Sequence, residues 1–233
     1  MSKPTTFGKI LRITALILFG LTVVFSLLGG IGSSCVALGA EKYTSMVALV
    51  PFKWLYQILV VLTIGASLYG IKALFDLVKR REGAFREAFI ALIACLVLAL
   101  VQVIASRILR GKSMPNDMRV YIGVVTLIVF LLLRLPGVWN QAGMELPGGH
   151  SGALAAGLSL FMCGVTILTV HLWVGTTHTW EGVNFADVWH TQLAVLGWGL
   201  VVGSLLPFIK VVSGQIVDSE ESESDRRTRV AVG

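Results

Sequence analysis

The chain has 233 residues, of which 55% are hydrophobic and only 14% are charged, and its mean hydropathy is +0.82. A soluble domain carries about 25% charged residues, so this composition excludes an ordinary soluble domain and indicates a protein that lies mostly in lipid. The net charge of +6 does not indicate nucleic-acid binding, because the basic residues stand at the ends of apolar runs, where they orient membrane helices and contact lipid headgroups.

The first apolar run follows a basic N-terminal segment that contains Lys3, Lys9 and Arg12. This arrangement resembles a signal peptide, but we interpret the run as the first transmembrane helix. Five further runs are long enough to cross ~30 Å of hydrocarbon as helices. The predicted spans cover residues 13–31, 54–78, 87–109, 120–139, 151–174 and 186–212.

The segments between these spans are short, and they leave no sequence for a second, soluble domain. A charged tail of residues 213–233 follows the last span and contains an acidic block from Asp218 to Asp225. Its composition predicts disorder unless a partner subunit holds it. The sequence therefore predicts an all-α integral membrane protein with six transmembrane helices.

The distribution of lysine and arginine predicts that both termini are cytoplasmic. With the N-terminus inside, twelve of these cations lie on the inner side and six on the outer side, as the positive-inside rule requires. Four of the outer six, Arg107, Arg110, Lys112 and Arg119, surround the loop between the third and fourth spans. We expect these four to contact lipid headgroups or an acidic partner surface. The expected location is a bacterial-type cell membrane.

Side chains that can bind metals gather at the outer corner between the fifth and sixth spans. His171 lies in the last turn of the fifth span and His190 in the first turns of the sixth, so the two imidazoles should lie at similar depth. Asp187 lies three residues before His190 and shares its helix face if the helix has begun there, and His178 lies in the connecting loop. Imidazoles and a carboxylate that converge in this way can bind zinc or copper.

Other interpretations of this corner stay open. His171 and His190 can serve as the axial ligands of a b-type haem, although a haem between antiparallel helices joined by a tight loop needs those helices splayed apart. A quinone contact is a further alternative. Histidine also suits the membrane interface, where Trp173, Trp180 and Trp189 are found as well. No spacing here matches a specific metal motif.

Charged residues are nearly absent from the middle of the predicted spans. Lys72 and Asp76 lie one turn apart near the inner end of the second span, where we expect them to pair. Gln57 and Gln102 are the main polar residues left, and both can bond to neighbouring helices. Because intramembrane charge marks ion pathways, this pattern argues against a channel or a transporter.

A stripe of glycines on the sixth span consists of Gly197, Gly199 and Gly203. Such a stripe lets another helix approach closely, either within this chain or from another subunit. Sequence alone does not separate these two uses.

The chain contains no nucleophile with a base, no phosphate-binding glycine loop and no interior pair of carboxylates, which argues against an enzyme. We therefore predict a small non-catalytic membrane subunit of a larger complex, one that handles electron transfer or energy transduction. Its expected partners are the bilayer and other membrane subunits, with no nucleic acid. The alternative is a membrane redox protein whose haem b or transition metal lies at the outer histidine corner. A channel or transporter is a third and disfavoured function.

Overall fold

The structure, a computed structural model, describes residues 5–113, 116–143, 150–174, 179–180, 182–207 and 209. The charged tail and His178 lie outside this range. The described part is mostly helical, with one antiparallel pair of two-residue strands. The helices are α1 (Thr6–Gly39), α2 (Lys53–Val78), α3 (Ala84–Arg110), α4 (Asp117–Leu133), α5 (Val138–Ala142), α6 (His150–Leu168), α7 (Val170–Val174), α8 (Phe185–Val188) and α9 (His190–Gly203), with 3-10 helices at Ala40–Lys42 and Thr44–Phe52 and strands β1 (Thr179–Trp180) and β2 (Val183–Asn184).

Three helical segments of the described chain are long and apolar enough to cross a membrane: Thr6–Lys42, Met46–Val78 and Ala84–Arg110. By length and composition the chain is therefore a helical membrane protein. The other three predicted spans overlap the shorter helices α4, α6 and α9. The full set of six spans and the orientation of the termini stay predictions.

Helix α1 extends beyond the first predicted span at both ends and continues unbroken for 34 residues. The glycine-rich sequence that follows residue 28 predicts an end to the helix, but other side chains fill the space over these glycines. Arg119 lies directly over Gly29, where a Cβ atom would come within 2.5 Å of its Cδ. The hydroxyl of Ser33 donates to the carbonyl of Gly29 at 2.7 Å, which satisfies that hydroxyl inside the helix.

The predicted span 120–139 is interrupted in the structure. The first helix, α4, ends at Leu133, and the short helix α5 begins only at Val138. Pro136 lacks the N–H that a continuing helix needs, and Gly137 turns the chain with a φ of 86°, which glycine adopts readily. The last two predicted spans are likewise divided, into α6 and α7 and into α8 and α9.

The core lies between α1, α2, α3 and α4, with α6 packed along α1. Phe130 of α4 is its aromatic centre, with ring centroids 5.5 Å from Phe19 and 5.2 Å from Phe85. Trp139 of α5 meets Phe85 edge-on at 5.0 Å. This cluster lies at the end of the bundle that carries residues 79–86, which we call the basic end.

The helices α6 and α9 form a pair beside this core. A Cβ at Gly197 of α9 would lie 2.7 Å from the side chain of Leu168, and a Cβ at Gly164 of α6 would lie 2.7 Å from the carbonyl oxygen of Gly197. The two backbones therefore touch, which larger residues at these positions would prevent.

Candidate functional sites

The structure brings His171 and His190 together. Their ring centroids lie 5.9 Å apart, and their ring planes are inclined at 72°. Two imidazoles on one ion, with metal–nitrogen distances of about 2.0–2.1 Å, would have centroids about 5–6.5 Å apart, depending on the angle at the metal. The observed separation therefore suits a shared ion.

The other predicted ligands do not complete a site within the described chain. Asp187 lies in α8 with its side chain exposed, and His178 is outside the described residues. Among the residues that the structure describes, no three histidine, cysteine, aspartate or glutamate side chains come close enough together to hold a metal. The histidine pair thus supplies two ligands, and a closed tetrahedral site needs two more.

The space between the described residues at the histidine pair suits an ion better than a haem. The described residues there, including Leu168 and Leu193, enclose a cavity of about 20 Å³, which is far smaller than a porphyrin. The helices α6 and α9 are also in backbone contact at Gly164 and Gly197. A haem held between these two helices would require them to separate.

Three of the four cations around the loop between the third and fourth predicted spans are exposed or half-buried. Arg107 pairs with Asp117 at 3.1 Å and donates to the hydroxyl of Ser113 at 2.8 Å. Arg110 donates to the carbonyl of Lys112 at 2.9 Å. The net positive charge around this loop is therefore smaller than its number of cations, because Asp117 neutralises Arg107.

Arg119, the fourth of these cations, is buried in the structure. Its side chain is only 3% exposed and lies between α1 and α3. Its Nη1 donates to Gln102 at 2.6 Å and to Asn116 at 3.3 Å, and Gln102 in turn donates to Ser33. The side chain turns inward because Gly29 leaves space for it.

The guanidinium of Arg119 is incompletely satisfied. Its Nε and Nη2 atoms are buried and have no hydrogen-bond partner among the described residues. Of the ion pairs between described residues, none includes Arg119. A buried charge without a counter-charge is costly, so Arg119 is a weak point of the fold or a contact point for something else.

A third site, an arginine-lined cavity of about 490 Å³ at the basic end, escapes the sequence analysis. Its charged lining consists of Arg12, Arg80, Arg81, Arg86, Arg134 and Glu82. Its apolar walls include Leu16, Leu77, Phe85 and Trp139. The sequence assigns these arginines only to membrane orientation. The sequence does contain a sign of this cavity: the arginines from α1, α3, the end of α4 and one loop are all predicted on the inner side of the membrane.

The carboxylates beside this cavity are already paired. Asp76 accepts from Arg81 at 2.7 Å and from Lys72 at 2.9 Å, which confirms the pair predicted within α2. Lys72 also binds Glu87 at 2.6 Å. These contacts fix the loop between α2 and α3 and leave Glu82 as the acid that lines the cavity.

The remaining arginines are positioned by packing. Arg12 is buried and donates to the carbonyl of Ala142 at 3.3 Å. The guanidinium of Arg134 lies over two rings, 6.0 Å from the centroid of Phe85 and 5.6 Å from that of Phe89. Burial lowers the pKa of Arg80 below its ordinary value, and an arginine nevertheless stays protonated.

The loop places Arg80 at the cost of backbone strain. The N–H of Arg81 bonds to the carbonyl of Asp76 at 3.0 Å and that of Arg80 to Leu77 at 3.2 Å, which is the Schellman ending of a helix. The left-handed position of this motif is usually glycine, but here it is Arg80, with a φ of 53°. A non-glycine residue in this conformation costs about 1–2 kcal/mol.

No family model, no curated protein and no solved structure matches the chain.

Proposed function

We propose that the protein is a small non-catalytic subunit of a larger membrane complex. In this proposal six helices cross a bacterial-type cell membrane, and both termini lie in the cytoplasm. The proposal is carried by the surface of α9, which packs mainly against α6. Of the residues assigned to α9, only Gly197 is buried, whereas Val195, Trp198 and Val202 are more than half exposed.

The glycine stripe on α9 divides into two parts. Gly197 is used within the chain, against α6. Gly199 and Gly203 are four residues apart, and a Cβ added to either of them would have no described atom within 4 Å. Small residues at this spacing form close helix–helix contacts in membranes. Their open surface supports the docking of a helix from another subunit.

The test is purification from the native membrane in a mild detergent, followed by mass analysis of the intact particle. The expected result is a particle heavier than one chain, which Gly199→Leu and Gly203→Leu dissociate because leucine blocks close approach. Gly65→Leu is the matched control, since Gly65 in α2 is equally open. A stable lone monomer, or equal dissociation by the Gly65 variant, would refute the proposal.

A second candidate function is a metal-bearing redox protein centred on the outer histidine corner. It is supported by the 5.9 Å separation of His171 and His190. Copper or iron would supply the redox chemistry and would connect this function with electron transfer, whereas zinc would be structural. The small cavity at the pair, about 20 Å³, favours a transition-metal ion over haem b.

Metal analysis and an optical spectrum of the purified protein test this second function. We expect about one copper or iron ion per chain, lost in His171→Ala and in His190→Ala because each removes a ligand. His150→Ala is the control, since His150 begins α6 at the end farthest from the pair. Protein without copper, iron or zinc, and without a Soret band, would exclude a metal or haem centre.

A further inference from the structure

The arginine-lined cavity has the properties of a binding site for an anion. Five arginines and one glutamate line it. Arg81 is paired with Asp76, so the lining together with that carboxylate has a net charge of +3. Its volume of about 490 Å³ lies in the range of small-molecule sites. The neighbouring carboxylates Asp76 and Glu87 are already bound to cations of the chain. A net charge of this size in a cavity attracts a negatively charged occupant.

We propose that this cavity binds a phosphate-bearing anion, either the headgroup of an anionic phospholipid or a soluble phosphate. The planar fork of arginine matches the oxygens of a phosphate group, with two parallel N–H donors for each guanidinium. Arg86 and Arg134 approach from different helices, and Arg81 approaches from the loop between α2 and α3. Such convergence allows one phosphate to be held from several directions.

The start of α3 adds to the attraction. Gly83 is the N-cap of this 27-residue helix, and no side chain caps the first turn. Gly83, Ala84 and Phe85 line the cavity, so the positive end of the helix dipole faces it. Helix and arginines thus act on the same occupant with the same sign.

The walls of the cavity suit an amphiphile. Leu16, Leu77, Phe85 and Trp139 give it an apolar side, and the cavity lies where helices of the bundle end. Basic pockets between membrane helices on the cytoplasmic side bind anionic lipid headgroups. A phospholipid would contact both the arginines and the apolar walls, whereas a soluble phosphate would contact the arginines alone. The two sources can therefore be separated experimentally.

Titration calorimetry of the delipidated full chain in maltoside micelles can distinguish the sources. The three probes are dioctanoyl phosphatidylglycerol, dioctanoyl phosphatidylcholine and inorganic phosphate, each at one fixed salt concentration. We expect saturable binding of one anion per chain and none of the zwitterionic lipid. Binding of phosphatidylglycerol alone identifies a lipid site, and binding of inorganic phosphate as well identifies a site for soluble phosphates. Absence of saturable binding for both anions overturns the proposal.

Variants then locate the bound anion. Arg86→Gln and Arg134→Gln should each weaken binding by about tenfold to a hundredfold, because each removes a charge-assisted contact. Lys79→Gln is the control, since Lys79 is a cation at the same end that does not line the cavity. Arg86→Lys keeps the charge without the fork and should bind with intermediate strength. An equal loss in the Lys79 variant would mean diffuse surface attraction and would overturn the proposal.

Discussion

Arg119 carries a positive charge into the packed interior, and its contacts there are uneven. One guanidinium nitrogen has acceptors on Gln102 and Asn116, and the other two nitrogens have no partner in the described chain. Removing a buried charge can cost little, whereas removing the acceptor that stabilises it costs more. The two changes should therefore affect stability differently.

We expect Arg119→Met to leave the free energy of unfolding unchanged or to increase it. Gln102→Leu should lower it by about 1.5–3 kcal/mol, because the guanidinium loses its acceptor. Thermal unfolding in detergent measures both, and Lys112→Met is the exposed control, expected within about 0.5 kcal/mol of the parent. If Arg119→Met is as damaging as Gln102→Leu, the two buried nitrogens have a partner in the native protein.

Arg80 offers a test of stored backbone strain. Glycine adopts the left-handed conformation of residue 80 without an energy penalty, whereas alanine pays that penalty. Both substitutions remove the guanidinium, so their difference reports the backbone alone. Arg80→Gly should therefore be more stable than Arg80→Ala by about 1 kcal/mol in thermal unfolding. Equal stabilities of the two variants would show that the backbone relaxes out of the left-handed region.

Single residues also show what sequence can predict about the sites. His171 and His190 meet because a short connection places antiparallel helix ends at one depth, which is visible in the sequence. The inward direction of the Arg119 side chain is not visible in the sequence. The sequence position indicates only where its Cα lies, and the long side chain turns inward over Gly29. The arginine cavity is hidden in the sequence because its cations come from segments up to 122 positions apart, Arg12 and Arg134.

Among the elements, the five-residue helix α5 depends on its contact with the start of α1. The N–H of Thr5 bonds to the carbonyl of Gln141 at 3.1 Å, and a Cβ at Gly8 would overlap that same carbonyl oxygen. Because this neighbour is backbone, it cannot move aside as a flexible side chain would. Trp139, a wall of the cavity, is carried on α5.

Gly8→Ala should therefore displace α5 and lower the free energy of unfolding by about 1–3 kcal/mol. Anion binding in the cavity should weaken as well, since Trp139 moves with α5. Gly65→Ala is the control with open space, and it should be neutral or stabilising by up to about 1 kcal/mol. Unfolding curves and the calorimetric titration together check both effects, and an undisturbed Gly8→Ala protein would contradict this account of α5.

The lengths of the elements are predictable where one apolar run has charged ends. The second predicted span, 54–78, differs by one residue from α2, and the third, 87–109, by a few residues from α3. The length of α1 is not predictable, because tertiary contacts over Gly29 override the low helix propensity of glycine. The end of α4 is predictable from the sequence, since Pro136 interrupts the apolar run.

For the whole molecule, the number of spans decides where the tail lies. If all six predicted spans cross the membrane, three of them follow Lys112, and the tail lies on the opposite side from it. If only the three long helices cross, the tail lies on the same side as Lys112. The two topologies therefore differ in the side of the membrane from which the tail is accessible.

We expect Ser222→Cys to react with a membrane-impermeant maleimide from the same side as Glu82→Cys and from the side opposite Lys112→Cys. The background replaces Cys35, Cys95 and Cys163, which are free thiols. Labelling of intact cells and of inverted vesicles reads out the side. Reaction of Ser222→Cys and Lys112→Cys from one side would contradict six spans.

The unbroken length of α1 has a mechanical consequence. The helix lines the arginine cavity with Arg12 and takes part in the polar contacts of Arg119 through Ser33. These two residues of α1, Arg12 and Ser33, are 21 positions apart, or about 31 Å along a helix. Because α1 has no break between them, an occupant that moved α1 along its axis in the cavity would also move Ser33 against Gln102. The helix would therefore couple the cavity mechanically to the contacts of Arg119.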